Sequence, residues 1–460
     1  MILDIESNEN QLIISYFDSQ GKIKIKDYKL DDCPNWTICG ENDRRKDLLK
    51  TNWDGRPVRL QPSNRFNKFS IYEFIDNLPE DEKKEITAVN FPRIQSVDIE
   101  TEVIDSFPDP AIARERITTI AIATDTNSVI VLGWKPIDKK EEKEIFDKLR
   151  SYLKNYGDWN FKYMCFDNEY NMLYTFIAKF MPNFSLMIGW NFLGFDWKYI
   201  YNRCNKIGID VSIASPSKKL QGKDNIPLHT GIIDYMDVYK RWDRTIQIKE
   251  SNSLDFVSNA VLGVTKLKYE GTLQDLYEKD YDKYILYNAI DAALVCLIHK
   301  KLKTINAILT MSCLCNLSIY KASSAVNLTE ALLWKGYYDR DKVIADRKEE
   351  SIKGSYEGAY VKEPEVGIFR AATCFDYASL YPSIMRQFNV SPESFIEKTT
   401  DQNRLEKYRN DDNYIVSVTG AVYNKELSVL KEILTNLYSK RKIYKNRNLD
   451  IERLLNKKKK

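Results

Sequence analysis

Two runs near the start of the chain alternate apolar and polar residues with the period of a strand. They are Gln11-Leu12-Ile13-Ile14-Ser15-Tyr16-Phe17 and Lys22-Ile23-Lys24-Ile25-Lys26. Between them Ser19-Gln20-Gly21 has the turn chemistry of a hairpin. Residues 1–92 are therefore expected to form a small α+β domain, and they contain no catalytic constellation. From 93 to about 304 the pattern becomes strands alternating with helices, the signature of an α/β domain. Strands are predicted at Val97–Glu102, Ile117–Ala123, Leu186–Asn191 and Ile232–Val238. Helices are predicted around Lys140–Asn155, through Tyr199–Lys206 as far as Gly208, and over about Lys279–Ile308. In the last, Ile285, Leu286, Ala289, Ile290, Ala293, Leu294, Leu297 and Ile298 recur at the spacing of an amphipathic face. Residues 305–350 read as helical and irregular. A strand is predicted to end at Asp376, followed by a turn and a short helix through Ile384–Gln387, and Leu427–Lys460 reads as one long helix.

At 460 residues the chain exceeds one core, and two to four domains are expected. A hydrophobic fraction of 43% with 29% charged residues is that of an ordinary globular protein. No apolar run approaches the roughly 20 residues of a membrane span, and Met1-Ile2-Leu3-Asp4-Ile5-Glu6 is too acidic for a signal peptide, so no membrane association is expected. The eight cysteines form no CxxC pair, and His229 and His299 are the only histidines, which argues against structural zinc and for a reducing, cytoplasmic setting. The net charge of +3 hides an asymmetry. Residues 428–460 hold eleven Lys or Arg against three acids, leaving the preceding residues at −5. Such a basic block points to a polyanionic partner, with a solvated helix face as the plain alternative.

Candidate chemistry begins at Asp98 and Glu100. On a strand, residues i and i+2 share a face, so the two carboxylates project side by side and repel unless a cation lies between them. Asp196 follows at a loop-to-helix start and Asp291 on the long helix, with Tyr287 one turn before it. Singly, each has an ordinary reading: a solvated strand end, a helix cap, a core tyrosine. Together they suit a site holding two Mg²⁺ or Mn²⁺ ions about 3.5–4 Å apart for phosphodiester hydrolysis. Tyr287 would orient the attacking water.

These strings also resemble the three exonuclease motifs of the family B replicative DNA polymerases, above all those of large tailed phages: Asp98-Ile99-Glu100, Asn191-Phe192-Leu193-Gly194-Phe195-Asp196, and Tyr287-Asn288-Ala289-Ile290-Asp291. The intervening phrases Ile233–Lys240, Ser253–Phe256 and Lys266–Gly271 fit as well. The resemblance implies an RNase H-like 3′–5′ proofreading exonuclease over 93–304, with Asp98, Glu100, Asp196 and Asp291 as metal ligands. It also implies that Phe107 offers a ring to the unpaired 3′ end and that Asn191 contacts the strand. Residues 1–92 with 305–350 would form the N-terminal domain. In the stretch Tyr356–Pro364, Tyr356, Gly358 and Ala359 would lie close to template DNA; a glycine suits such close approach.

The string Asp376-Tyr377-Ala378-Ser379-Leu380-Tyr381-Pro382-Ser383-Ile384 is similar to the family's first palm motif. By that resemblance Asp376 binds both ions of a second, polymerising site. The backbone from Tyr377 through Ala378 and Ser379 to Leu380 cradles a dNTP, and Tyr381 packs under its sugar. Arg441 and Lys445, at i and i+4, match the triphosphate-binding positions of the first fingers helix. Residues 351–427 would be a partial palm and 428–460 that helix.

Neither a K-x-x-x-N-S-x-Y-G string nor a D-T-D-S string occurs in the 460 residues, so Asp376 has no partner carboxylate from that motif. The expectation is the N-terminal portion of a DNA-directed DNA polymerase. It would act on primer-template DNA and single-stranded 3′ ends, with nucleotide addition needing a second polypeptide that carries the rest of fingers, palm and thumb and meets the sliding clamp. A stand-alone 3′–5′ exonuclease and a non-catalytic DNA-binding subunit are the alternatives. Ser215–Thr230 shows no clear strand pair, so the hairpin that separates primer from template is expected to be reduced.

Overall fold

The computed structural model describes residues 1–7, 11–29, 34–39, 50–60, 68–104, 106–242, 250–344 and 361–458. The chain divides into two compact units, Met1–Leu30 with Ile75–Leu328, and Asp31–Phe74 with Thr329–Lys460. Both mix helices and sheets, a multidomain α/β and α+β organisation.

The first unit is built on a six-stranded sheet. Its strands are β1 (Ile94–Thr101), β2 (Ile117–Thr124), β3 (Ser128–Gly133), β4 (Asn160–Cys165), β5 (Leu186–Gly189) and β6 (Ile232–Asp234), in the spatial order β4-β3-β2-β1-β5-β6. The meander β1-β2-β3 is antiparallel, while β4 adds parallel to β3, β5 parallel to β1, and β6 parallel to β5. Strand β1 is therefore interior, with neighbours on both sides. Val97, Ile99, Ile120, Ile122, Leu132, Met187, Phe192, Trp197 and Ile200 form the core of one layer. Helix α1 (Asp196–Ile207) belongs to this layer and ends at Gly208, whose left-handed φ of 80° suits a glycine cap.

Helix α2 (Tyr281–Leu302) packs on β1, β2 and β3 and is flanked by the helices Lys139–Tyr152 and Leu254–Leu262. Enclosed on all sides, it buries sixteen of its 22 residues, including Asn288, Asp291 and His299. The amphipathic face expected from the sequence understates this, because the flanking helices cover what would have been the solvent side. The helix also stops earlier than expected. Lys303 is left-handed (φ 53°) and separates α2 from a second helix, Thr304–Cys315. Similarly, the strand expected over Ile232–Val238 ends at Asp234. A helix Tyr235–Trp242 takes over, since Tyr235, Val238 and Tyr239 bury one face at i, i+3, i+4.

The N-terminal strands Ile2–Ser7, Gln11–Phe17 and Ile23–Lys29 form an antiparallel meander in this same unit. The 215–230 stretch does contain a strand pair, contrary to expectation, but one of two residues each: Leu220–Gln221 with Ile226–Pro227. It is pinned to the N-terminal strands by Gln221 Nε2 donating to Asp4 Oδ2 at 2.7 Å, and by His229 Nδ1 lying 2.9 Å from Ser15 Oγ.

The second unit carries a four-stranded sheet ordered Lys342–Val343, Lys50–Asn52, Pro57–Leu60, Trp36–Ile38, and a three-stranded sheet of Phe395–Lys398, Ala421–Asn424 and Tyr414–Val416. A helix at Leu380–Phe388 and helix α3 (Val429–Lys458) complete it. The strand expected to end at Asp376 is absent among the described residues. Residues 361–377 have no sheet partner, and Val366, Ile368, Phe375 and Tyr377 are exposed. An apolar run has strand propensity, but a strand forms only where a neighbour takes its N–H and C=O groups. Among the described residues no helix is long and apolar enough to cross a membrane.

Candidate active site

Asp98 and Glu100 lie on β1 opposite Ala121 and Thr119 of β2. Asp291 reaches the same place from α2. Carboxylate oxygens of Asp98, Glu100 and Asp291 all lie within 4.8 Å of one another, the one such acidic group among the described residues. Asp196, the first residue of α1, stands beside this group. Its Oδ1 accepts from the Ile99 N–H at 3.1 Å, between the two β1 carboxylates. The turn that delivers it is tightly made. Gly189 ends β5 so close to β1 that an added Cβ would meet Val97 O at 2.7 Å. Asn191 then turns through a left-handed φ of 58°, and the Leu193 N–H donates to Asp234 Oδ2 at 3.0 Å.

Burial and mutual repulsion set the electrostatics. The Asp98 carboxyl is pushed up to about 7 by burial and by the charge of Asp291, against the pull of Lys266 and Asn288. Burial, then Asp98 and Asp291, push Glu100 well above its ordinary value, and burial with Asp98 does the same to Asp196. Asp291 is raised by burial but opposed by Lys266, whose Nζ lies 2.5 Å from Asp291 Oδ2. The same Nζ donates to the Tyr287 hydroxyl at 2.9 Å, and Tyr269 meets the Tyr287 ring edge-on at 5.3 Å. Burial would lower Lys266, but Asp291, Tyr287 and Asp98 hold it protonated. Asn288 donates to Asp98 Oδ2 at 2.7 Å.

Lys266 and Asn288 are participants that sequence reasoning missed. Lys266 stands 25 positions before Asp291 on a separate segment, and no local spacing predicts their pairing. Asn288 had a usable signal, since it lies three residues before Asp291 on the same helix.

A hard, all-oxygen donor set fits a divalent cation such as Mg²⁺ or Mn²⁺. Among the described residues the buried Asp291 Oδ1 has no hydrogen-bond partner, which suits a metal-ligand atom. Phe107 is 78% exposed and rests against the ring of Phe195, the residue before Asp196, with centroids 5.4 Å apart. Asn191 is exposed on the same turn.

In the second unit Asp376, Tyr377, Ala378 and Tyr381 are exposed. Ser379 is left-handed (φ 56°), and Leu380 begins the helix that follows. Asp376 belongs to no acidic group among the described residues. Arg441 and Lys445 lie exposed one turn apart on α3. Tyr356, Gly358 and Ala359 fall outside the described residues.

Comparison with known proteins gives two family matches: DNA polymerase family B, exonuclease domain, over residues 50–257, and DNA polymerase family B over residues 315–458. The DNA-directed DNA polymerase of Escherichia phage RB69 is 30% identical over 403 residues, covering 78% of this chain and 43% of that protein. That of Enterobacteria phage T4 is 30% identical over 399 residues, covering 78% and 42%. A DNA polymerase of Thermococcus hydrothermalis is 27% identical over 268 residues, 55% of this chain and 16% of its own length. The chain thus spans less than half the length of each of these relatives. Its acidic motifs, their placement on one sheet and two helices, and these matches agree: the chain belongs to the family B DNA polymerases.

Proposed function

We propose that the first unit is a metal-dependent 3′–5′ exonuclease of RNase H-like fold that removes nucleotides from single-stranded DNA ends. The observation that carries this is the convergence of Asp98, Glu100 and Asp291 within 4.8 Å on an interior strand and a buried helix, with Asp196 alongside. These four would hold two Mg²⁺ or Mn²⁺ ions. When bound, such ions supply a hydroxide near neutral pH and stabilise the leaving oxygen.

The protein's own groups set the stage. Lys266 pairs with Asp291, opposing the rise that burial gives its carboxyl, and donates to the Tyr287 oxygen, so that the Tyr287 hydroxyl is held at the carboxylates, where it would orient a water. Asn288 fixes Asp98. Phe107, backed by Phe195, offers a face for the terminal base, and Asn191 lies where it can hydrogen-bond the strand.

In the second unit Asp376 would hold the ions of a polymerising site, the Tyr377–Tyr381 segment would receive a dNTP, and Arg441 and Lys445 would grip its phosphates. Tyr356, Gly358 and Ala359 would contact template. We place the functional divisions at 1–92 with 305–350, 93–304, 351–427 and 428–460. Nucleotide addition then requires the remaining fingers, palm and thumb, on a second polypeptide or otherwise encoded, with a sliding clamp met through them. A host-cytoplasmic replication role follows from this reading. The test is Mg²⁺-dependent degradation of 5′-labelled single-stranded DNA by the purified chain. It should vanish in Asp98→Ala with Glu100→Ala; undiminished activity in that variant would refute the assignment.

A further inference from the structure

Helix α1 carries more than Asp196. Asp196, Tyr199, Asn202 and Arg203 recur at the i, i+3, i+6, i+7 spacing of a single helix face. The last three all bind the loop of residues 106–116, which bears Phe107. Tyr199 donates its hydroxyl to Glu115 O at 2.9 Å, and Asn202 Nδ2 donates to Pro110 O at 2.8 Å. Arg203 reaches furthest. Its Nη1 donates to Arg114 O at 2.8 Å and Ala113 O at 3.4 Å, while Nε and Nη2 make a buried fork onto Glu169 at 2.8 and 2.7 Å. Glu169 in turn accepts from the Ile117 N–H at 2.7 Å, where the loop enters β2.

The loop needs this restraint. Ala113 is fully buried in the left-handed region (φ 47°), a conformation that an alanine adopts only when its surroundings impose it. The imposing groups are the Asp109 carbonyl, which takes the Ala113 N–H at 2.8 Å, and Arg203, which takes the carbonyls on the other side. Phe107, by contrast, is exposed and touches Phe195, the residue that caps the start of α1. Its ring position is thus set by the loop's attachment to α1, the element whose first residue is Asp196.

We propose that Arg203, seconded by Asn202, is a positioning residue that fixes the Phe107 ring relative to the metal-ligating carboxylates, so that a terminal base stacked there presents its phosphodiester to them. This rests on the reading of Phe107 as the 3′-end contact. Neither Arg203 nor Asn202 touches the substrate; both act through Phe107.

The test is steady-state hydrolysis of 5′-labelled single-stranded DNA by the full chain bearing Arg203→Lys or Asn202→Ala, each also combined with Phe107→Ala. Asn202 is the milder site and keeps the test alive if the Arg203 variant folds poorly. Loss of one hydrogen bond should raise KM roughly two- to tenfold, with kcat within about twofold. In the Phe107→Ala background neither change should raise KM further, because the ring they position is gone. Effects that multiply in that background, or a fall in kcat with KM unchanged, would overturn the proposal. If Phe107→Ala alone leaves KM unaltered while the unmutated chain is active, the 3′-end reading of Phe107 fails and the proposal falls with it. Absence of nuclease activity in the unmutated chain would instead refute the functional assignment.

Discussion

Glu100→Gln should make the metal-free protein more stable while abolishing its chemistry. Within the carboxylate group, Asp291 is paired with Lys266 and Asp98 is held by Asn288, whereas the Glu100 carboxylate has no such partner among the described residues. One of its oxygens lies within 4.8 Å of an oxygen of each neighbour. At an effective dielectric near 20, one like charge at that distance costs about 3 kcal/mol, and Lys266 offsets part of the contribution from Asp291. A net relief of about 2–3 kcal/mol follows for the isosteric neutral side chain. The pH dependence identifies the cause. Burial, Asp98 and Asp291 raise the Glu100 carboxyl above its ordinary 4.5, so the folded state loses stability as pH rises beyond 4.5 and suffers no penalty below it. The gain from Glu100→Gln should therefore be small near pH 4.5 and grow toward pH 8. Urea unfolding in EDTA across that range measures it. With Mg²⁺ present the order should reverse, because ion binding stabilises only the unmutated fold, and hydrolysis should drop by about a hundredfold or more. A variant less stable than the unmutated chain in EDTA at pH 7.5, or a gain independent of pH, would refute this account of the site.

Lys266→Met should destabilise the protein by about 3–5 kcal/mol, since it strands the buried Asp291 carboxylate. Adding Asp291→Asn should recover most of that loss in the same denaturation experiment. His299 is buried with Nδ1 unpartnered, and burial followed by the neighbouring Lys300 charge lowers it to about 4. The unfolded chain takes up that proton as pH falls from 6.5, so His299 should cost the fold about 3 kcal/mol by pH 4. His299→Phe, which keeps a ring against Tyr235, should flatten this acid limb and leave neutral stability little changed. Gly189→Ala places a methyl 2.7 Å from Val97 O and 2.6 Å from the Phe192 ring, and should lower stability by about 1–3 kcal/mol with a parallel loss of hydrolysis.

The clustered carboxylates were legible because each sits in a local string whose element could be read: a period-two strand for Asp98 and Glu100, a helix for Asp291. Their company was less legible. Lys266 meets Asp291 through tertiary packing alone, and the burial of α2 on all sides depends on helices far away in sequence. Element ends also moved, at Asp234 and at Lys303, where side-chain spacing or a left-handed residue overrode the apolar run. The strand expected before Asp376 illustrates the general limit. Propensity marks residues that can pair, but only a neighbouring strand makes a strand of them. Phe107 is singled out by resemblance alone, with no periodicity to say which way it faces, and in the fold it lies at the surface.

The enclosure of α2 has a consequence for how this molecule breathes. Amides around Asp291 sit in a helix roofed by neighbours and backed by the sheet, so they should exchange with deuterated solvent only when the whole first unit opens. The backbone of 361–377, which has no ladder to protect it, should label at the first time point. One of the four carboxylates, Asp291, thus rides on the last element to let go. Heat or denaturant should leave the carboxylate cage intact until cooperative collapse removes it in a single step.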